Sequence, residues 1–252
     1  MVTYSLRKDN LCSLLNNKRG DGIASIILFI LVILFLTGYV GKVAGIVTLQ
    51  AQRIKINEAL EISVASATTE VSTDFENLRQ LSRGYLLDSE IGVKSNIVKL
   101  DTEKAMNTFL SRLNGNMGGE LGDIGENKRK ENTAIVMAIV TPQVNGGYAV
   151  DMCRLVGEDI SKAINNEIAF SIINEDAPDI QEVAKKIETR IGSEFKLHLT
   201  ADGIFIDVVK NSAAFLAVIT DYPVDAFFSS TTITAYDIGN ARIIRKHEES
   251  GG

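Results

Sequence analysis

Apolar positions change rhythm three times along this chain. Residues 22–41 (GIASIILFILVILFLTGYVG) carry no charge and follow directly on Lys18-Arg19-Gly20-Asp21. Twenty residues at 1.5 Å each cover the roughly 30 Å hydrocarbon layer of a bilayer, and a helix satisfies its own backbone polar groups while crossing. From residue 42 the apolar positions thin to one face. Leu49, Ile56, Leu60, Val64, Ala67 and Val71 recur at helical spacing, with Lys42, Gln50, Arg53, Asn57 and Glu61 elsewhere around the turn. No proline occurs before Pro142. The pattern predicts one helix from near Asp21 to near Ser72, on the order of 75 Å long. Its outer half presents an apolar stripe that either its own globular domain or neighbouring copies must cover.

The third rhythm begins after residue 72. Residues 73–100 are mixed, with Gly84 and Gly92 as breaks. Asp101 precedes a helical pattern (Ala105, Phe109, Leu110, Leu113) that should end near Asn114-Gly115. NGNMGGELGDIGENKRKEN then reads as an exposed, mobile surface loop. Residues 133–142 and 148–156 are strand-like around Asn145-Gly146-Gly147, which predicts a hairpin. Helical patterns follow over 158–170 and, beyond Pro178, over 179–190. The remainder predicts strands: FKLHLT and GIFIDVV joined by Asp202-Gly203, AFLAVIT, then TTITAYDI and ARIIRK around Gly239-Asn240. The expected fold class is α+β. A basic leader (1–20) precedes a transmembrane helix that continues as an amphipathic one (21–72), and a globular domain with short helices and an antiparallel sheet of five to seven strands follows (73–252).

Charge sets the expected orientation. Arg7, Lys8, Lys18 and Arg19 precede the span against Asp9 and Asp21, which favours a cytoplasmic N-terminus and an extracytoplasmic domain. A cleaved secretory signal would need a shorter apolar core with a small-residue site behind it. The net charge is −6 overall; residues 43–252 carry 21 basic and 30 acidic groups. Such an acidic domain lacks the footprint of a phosphate-binding surface, so a nucleic-acid partner is not expected.

Candidate chemistry is sparse. Cys12 and Cys153 flank the span and would lie in different compartments, so no disulfide is expected. Cys153, in the alternating YAVDMCRLV, reads as a sheet or core residue. His198 and His247 are the only histidines. The Gly-rich stretch 114–125 follows a helix and lacks the Lys-Ser/Thr pair of a phosphate cradle. As a calcium loop it has glycine at the positions needing ligands, leaving Glu120, Asp123 and Glu126 as the acids that could gather a cation. Asn174-Glu175-Asp176 and Asp179, around Pro178, read as acids before a helix N-terminus rather than a paired-carboxylate site. No catalytic, cofactor-binding or metal-ligating residue is assigned, and the chain is not expected to be an enzyme.

The segment Lys18-Arg19-Gly20-Asp21-Gly22 with the apolar helix behind it resembles the N-terminus of type IV pilin-like proteins, and within them the TadE-like pseudopilins. The resemblance covers about 50 residues. It implies cleavage after Gly20 by a prepilin-type membrane peptidase, leaving Asp21 as the new N-terminus. It also implies a subunit of a tight-adherence pilus or a related secretion or conjugation apparatus that acts by assembly, at the cell surface or in a pilus. Partners would be lipid and other pilin-like subunits or assembly-machine proteins. Ser25 stands where many pilins carry a Glu that neutralises a neighbour's N-terminal amine. Either another group such as Asp21 serves there, or the chain is not a main filament subunit. Gly38, Gly41 and Gly45 permit close helix approach within lipid, and Leu49, Ile56, Leu60 and Val64 form the stripe expected to pack. A single-pass protein with an extracytoplasmic binding domain, outside any filament, is the alternative.

Overall fold

A computed structural model describes residues 20–71, 98–124, 128–143, 146–192, 212–226 and 229–241. The elements are α1 (Gly20–Ala67), α2 (Thr102–Asn116), β1 (Ala134–Pro142), β2 (Tyr148–Val156), α3 (Glu158–Ile164), β3 (Ile173–Ala177), α4 (Ile180–Ile191), β4 (Ala214–Ala226) and β5 (Ser229–Asn240). The fold is α+β: a long N-terminal helix, short helices and a five-stranded antiparallel sheet in the order β3-β2-β1-β4-β5.

The chain forms two compact units. The first holds the helix as far as Gln50 together with Asp225–Ser230; the second runs from Ala51 to Val224 and resumes at Thr231. In the first, every described side chain of residues 25–40 is exposed. The helix there is apolar on all faces, long and apolar enough to cross a membrane.

The second unit is built around β1. It pairs antiparallel with β2 (Ala134 opposite Val156, Pro142 opposite Tyr148) and with β4 (Ala134 opposite Thr220, Val140 opposite Ala214). Its side chains are buried from Ala134 to Val140. That is why AIVMAIV lacks alternation: a strand covered on both faces has no polar side to show. On one face Val136, Ala138 and Val140, with Leu216 and Val218 of β4, meet Val183, Ala184, Ile187 and Ile191 of α4. On the other, Phe215 lies beside Phe109 of α2, ring centroids 5.3 Å apart and tilted by 43°. Glycine admits β5 to the helix layer, since a Cβ on Gly239 would lie 2.8 Å from Thr68 Cγ2 and 2.9 Å from Val64 Cγ1.

Capping fixes the helix starts. Asp101 accepts from the Lys104 N–H (3.2 Å) and Asp179 from the Glu182 N–H (2.8 Å), supplying acceptors to amides with no intrahelical partner.

Several expectations need correction. The Gly-rich stretch is not a free surface loop: Met117, Leu121 and Ile124 are buried, and the Asn114 Oδ1 accepts from the Leu121 and Gly122 amides. INEDA, read as a pre-helical acidic cluster, is edge strand β3, paired with β2 from Tyr148 opposite Ala177 to Met152 opposite Ile173. The helix expected over 158–170 stops at Ile164, where Asn165 caps it and Asn166 turns to a φ of +57°. The expected FKLHLT/GIFIDVV hairpin, the strand ARIIRK beyond Ala241, Gly84, Gly92, the basic leader before Gly20, Cys12 and both histidines lie outside the described residues.

Candidate functional site

The surface that asks for a partner is α1. Its candidate processing residues, Gly20 and Asp21, open the helix. Among the described residues it provides one segment long and apolar enough to cross a membrane. The small residues divide: a Cβ on Gly38 would meet open space, whereas Gly41 and Gly45 are buried. Leu49 is half-buried.

Beyond Gln50 the stripe is covered by the chain's own domain. Ile56, Leu60, Val64 and Ala67 are buried, with Ala59 and Ser63 between them. Of the two covers open to it, the intramolecular one is realised for this face.

Polar ties hold the outer end of α1, and Glu70 just beyond it, to α2. The Asp101 amide donates to the Glu70 carbonyl (2.9 Å), and the Thr108 hydroxyl to the Glu70 carboxylate (3.0 Å). The Asn116 side-chain amide reaches the Ser63 hydroxyl at 3.4 Å. These contacts run α2 antiparallel to α1, from Asp101 at Glu70 to Asn116 at Ser63, with the Glu70 side chain reaching Thr108 between them.

Glu120 gathers a second set of ties. The buried Tyr222 of β4 donates its phenol to Oε2 at 2.5 Å, Lys130 reaches the same oxygen at 3.2 Å, and Lys55 of α1 stands 3.7 Å from Oε1. Lys130 also lies 5.2 Å from the centre of the Tyr222 ring. Partial burial raises the pKa of the Glu120 carboxyl. The hydrogen bonds from Tyr222 and Lys130, with the Lys130 and Lys55 charges, outweigh it, and the group sits below its ordinary value. Burial, then the Glu120 hydrogen bond, pushes Tyr222 well above the usual phenol range. A carboxylate already neutralised by two ammonium groups is a structural tie and not a cation ligand. Glu126 lies outside the described residues, and no group of three metal-ligating side chains occurs among the described ones.

The other candidates are structural too. Cys153 is buried in β2, and burial raises its thiol to about 11. Such a thiol is a poor nucleophile. Glu175 is held below its ordinary value by hydrogen bonds and charge from Lys186, then Arg190, tying β3 to α4.

Periodicity focused on the buried stripe does not reveal the feature left over. A shallow groove runs between α1 and α2, lined by Ile62, Ala65, Ser66, Thr69, Glu70, Thr108 and Arg112. It is open and has the character of a contact surface more than of an enclosed reaction chamber.

No protein family, no curated protein and no solved structure matches the chain.

Proposed function

We propose that the chain is a membrane-anchored, pilin-like (TadE-type) subunit of a tight-adherence pilus or a related secretion or conjugation apparatus, acting by assembly and not by catalysis. The observation that carries this reading is the 48-residue helix α1. Its inner part is apolar and exposed on all faces, and its outer part belongs to the core of the globular unit. Such an anchor is no detachable tether; the globular unit needs its outer turns to complete its core. The basic residues before Gly20 support a cytoplasmic N-terminus. The resemblance around Gly20 and Asp21 supports processing there.

The test is the intact mass and N-terminal sequence of the protein purified from its native membrane. A chain beginning at Asp21 supports the subunit reading; one beginning at Met1 counts against it. One observation favours the second reading, a single-pass protein with an extracytoplasmic binding domain outside any filament. The stripe of Ile56, Leu60 and Val64 is occupied by the chain's own domain and is not free for a neighbouring subunit.

A further inference from the structure

The apolar stretch of α1 ends at a definite place. Residues 22–41 hold no charge, and Lys42 is the first charged side chain after them. Twenty residues at 1.5 Å each use up the roughly 30 Å hydrocarbon layer. In an anchored chain Gly41 and Lys42 therefore stand at the outer face of the bilayer, with the Lys42 ammonium among the headgroups.

At that level the helix acquires a cover. Gly38 is exposed and a Cβ on it would meet open space, although Leu34 and Phe35 stand on its own face of the helix. Gly41 is buried, although its neighbours along the face are only Thr37, Ala44 and two glycines. Side chains that small cannot hide it, so the cover comes from outside the helix. Gly45, a turn further on, is buried as well. Among the described residues, the one other part of this compact unit is Asp225–Ser230, the end of the β4–β5 hairpin.

The chemistry of that end suits the depth. Asp225 and Ser230 are exposed. The two residues joining the strands, Phe227 and Phe228, lie outside the described residues; in the sequence they are the chain's one adjacent pair of aromatics. Rings set between an acid and two serines match the lipid interface, where apolar groups enter the acyl boundary and polar ones stay among headgroups. Asp225 limits the depth, because a carboxylate is costly within hydrocarbon.

We infer that the end of the β4–β5 hairpin is a second membrane contact, resting on the lipid surface where α1 leaves it. The inference rests on the anchored reading, and its partner is the bilayer itself. A span that is apolar on all faces has no preferred depth of its own within the apolar stretch; a hairpin end at its outer limit supplies one.

The test uses the full-length chain, which contains no tryptophan, so a single introduced indole reports alone. Leu31→Trp, Phe228→Trp, Ser230→Trp and Tyr236→Trp chains are reconstituted separately in phosphatidylcholine vesicles. The acyl chains carry bromine either near the headgroup or near the methyl end. Leu31→Trp should be quenched by the deep bromines. Phe228→Trp should emit to the blue, lose most of its intensity to the shallow bromines and be protected from aqueous iodide. Ser230→Trp, at an exposed position, should also respond to the shallow bromines, and it carries the test should Phe228→Trp fail to fold. Tyr236→Trp, further along β5, should keep its intensity in both lipids and lose it to iodide. Melting temperatures equal to the parent's verify folding. Indoles at 228 and 230 that answer to iodide and ignore bromine, in vesicles where Leu31→Trp is quenched, overturn the hairpin contact alone. Equal quenching by shallow bromines at 228 and 236 overturns it too, since the whole domain would then lie on lipid. A Leu31→Trp chain untouched by bromine overturns the anchored reading, and the contact with it.

Discussion

The phenol of Tyr222, near the end of β4, donates to the carboxylate of Glu120, 102 residues earlier in the chain. That bond closes the turn after α2 onto the sheet. Tyr222→Phe removes the donor and leaves Glu120 with its two lysines. Because Glu120 is about half exposed, the cost should fall near 1 kcal/mol, below the roughly 1.5–3 kcal/mol of a bond to a charged group. Chemical denaturation at pH 7 measures it.

The same pair sets a pH dependence at both ends. The folded carboxyl titrates below its ordinary 4.5, so its stabilisation is full above that value and is lost as pH falls through the lower folded one. Tyr222 is raised, so the unfolded chain loses its phenolic proton first, and stability falls as pH rises above about 10. Tyr222→Phe should flatten the alkaline limb and make the acid limb shallower. A full pH series of melting temperatures for both proteins tests this.

Leu60→Ala should destabilise the globular unit by about 2–5 kcal/mol, since the side chain is fully buried. Ile62→Ser, two positions on, should change stability by no more than about 0.5 kcal/mol. Thermal unfolding in detergent distinguishes the faces. Polar substitutions at Ile56, Leu60 and Val64 are therefore probes of folding, and loss of assembly in such a variant carries no separate information.

Asp237 of β5 titrates above its ordinary 3.8 because burial, and then the Glu61 charge, disfavour ionisation. A raised carboxyl binds a proton in the folded state where the unfolded state does not. Stability therefore declines as pH rises from about 3.8 through the folded value. Asp237→Asn should be more stable than the parent at pH 7 and lose that advantage in acid. Denaturation at pH 7 and pH 4 provides the comparison.

Gly157, between β2 and α3, has a φ of +53°, and a Cβ there would lie 2.5 Å from the Glu131 carbonyl oxygen. The obstacle is backbone, so no side chain can swing aside. Gly157→Ala should cost about 1–3 kcal/mol, readable as a lowered melting temperature.

Legibility in the sequence followed periodicity. α1, α2, the β1–β2 hairpin and α4 announce themselves because their apolar positions repeat at helix or strand spacing and Asp101 and Asp179 mark the starts. β3 was invisible: INEDA is a polar edge strand held by its ladder to β2 and by Glu175 pairing across to α4. The sequence AFLAVIT marks only the first part of β4. The strand continues through Asp221 and Pro223; its ladder to β1 ends at Thr220, so proline beyond that point costs no bond of that ladder. In the Gly-rich stretch, Met117, Leu121 and Ile124 already stand at steps of four and three, a signal masked by the glycines around them. The groove at Arg112 was illegible because it depends on two helices crossing the chain order.

The central position of β1 also sets a timetable. Its first partner, β2, follows at once in the chain, but its second, β4, begins about 70 residues later. At 5–20 residues per second, roughly 4–14 s of synthesis separate the two. During that interval the most apolar strand of the domain has an unpaired edge. Stalled or truncated products ending before residue 214 should therefore be the aggregation-prone species of this protein, and under the anchored reading proposed above the membrane helix keeps that edge local and dilute.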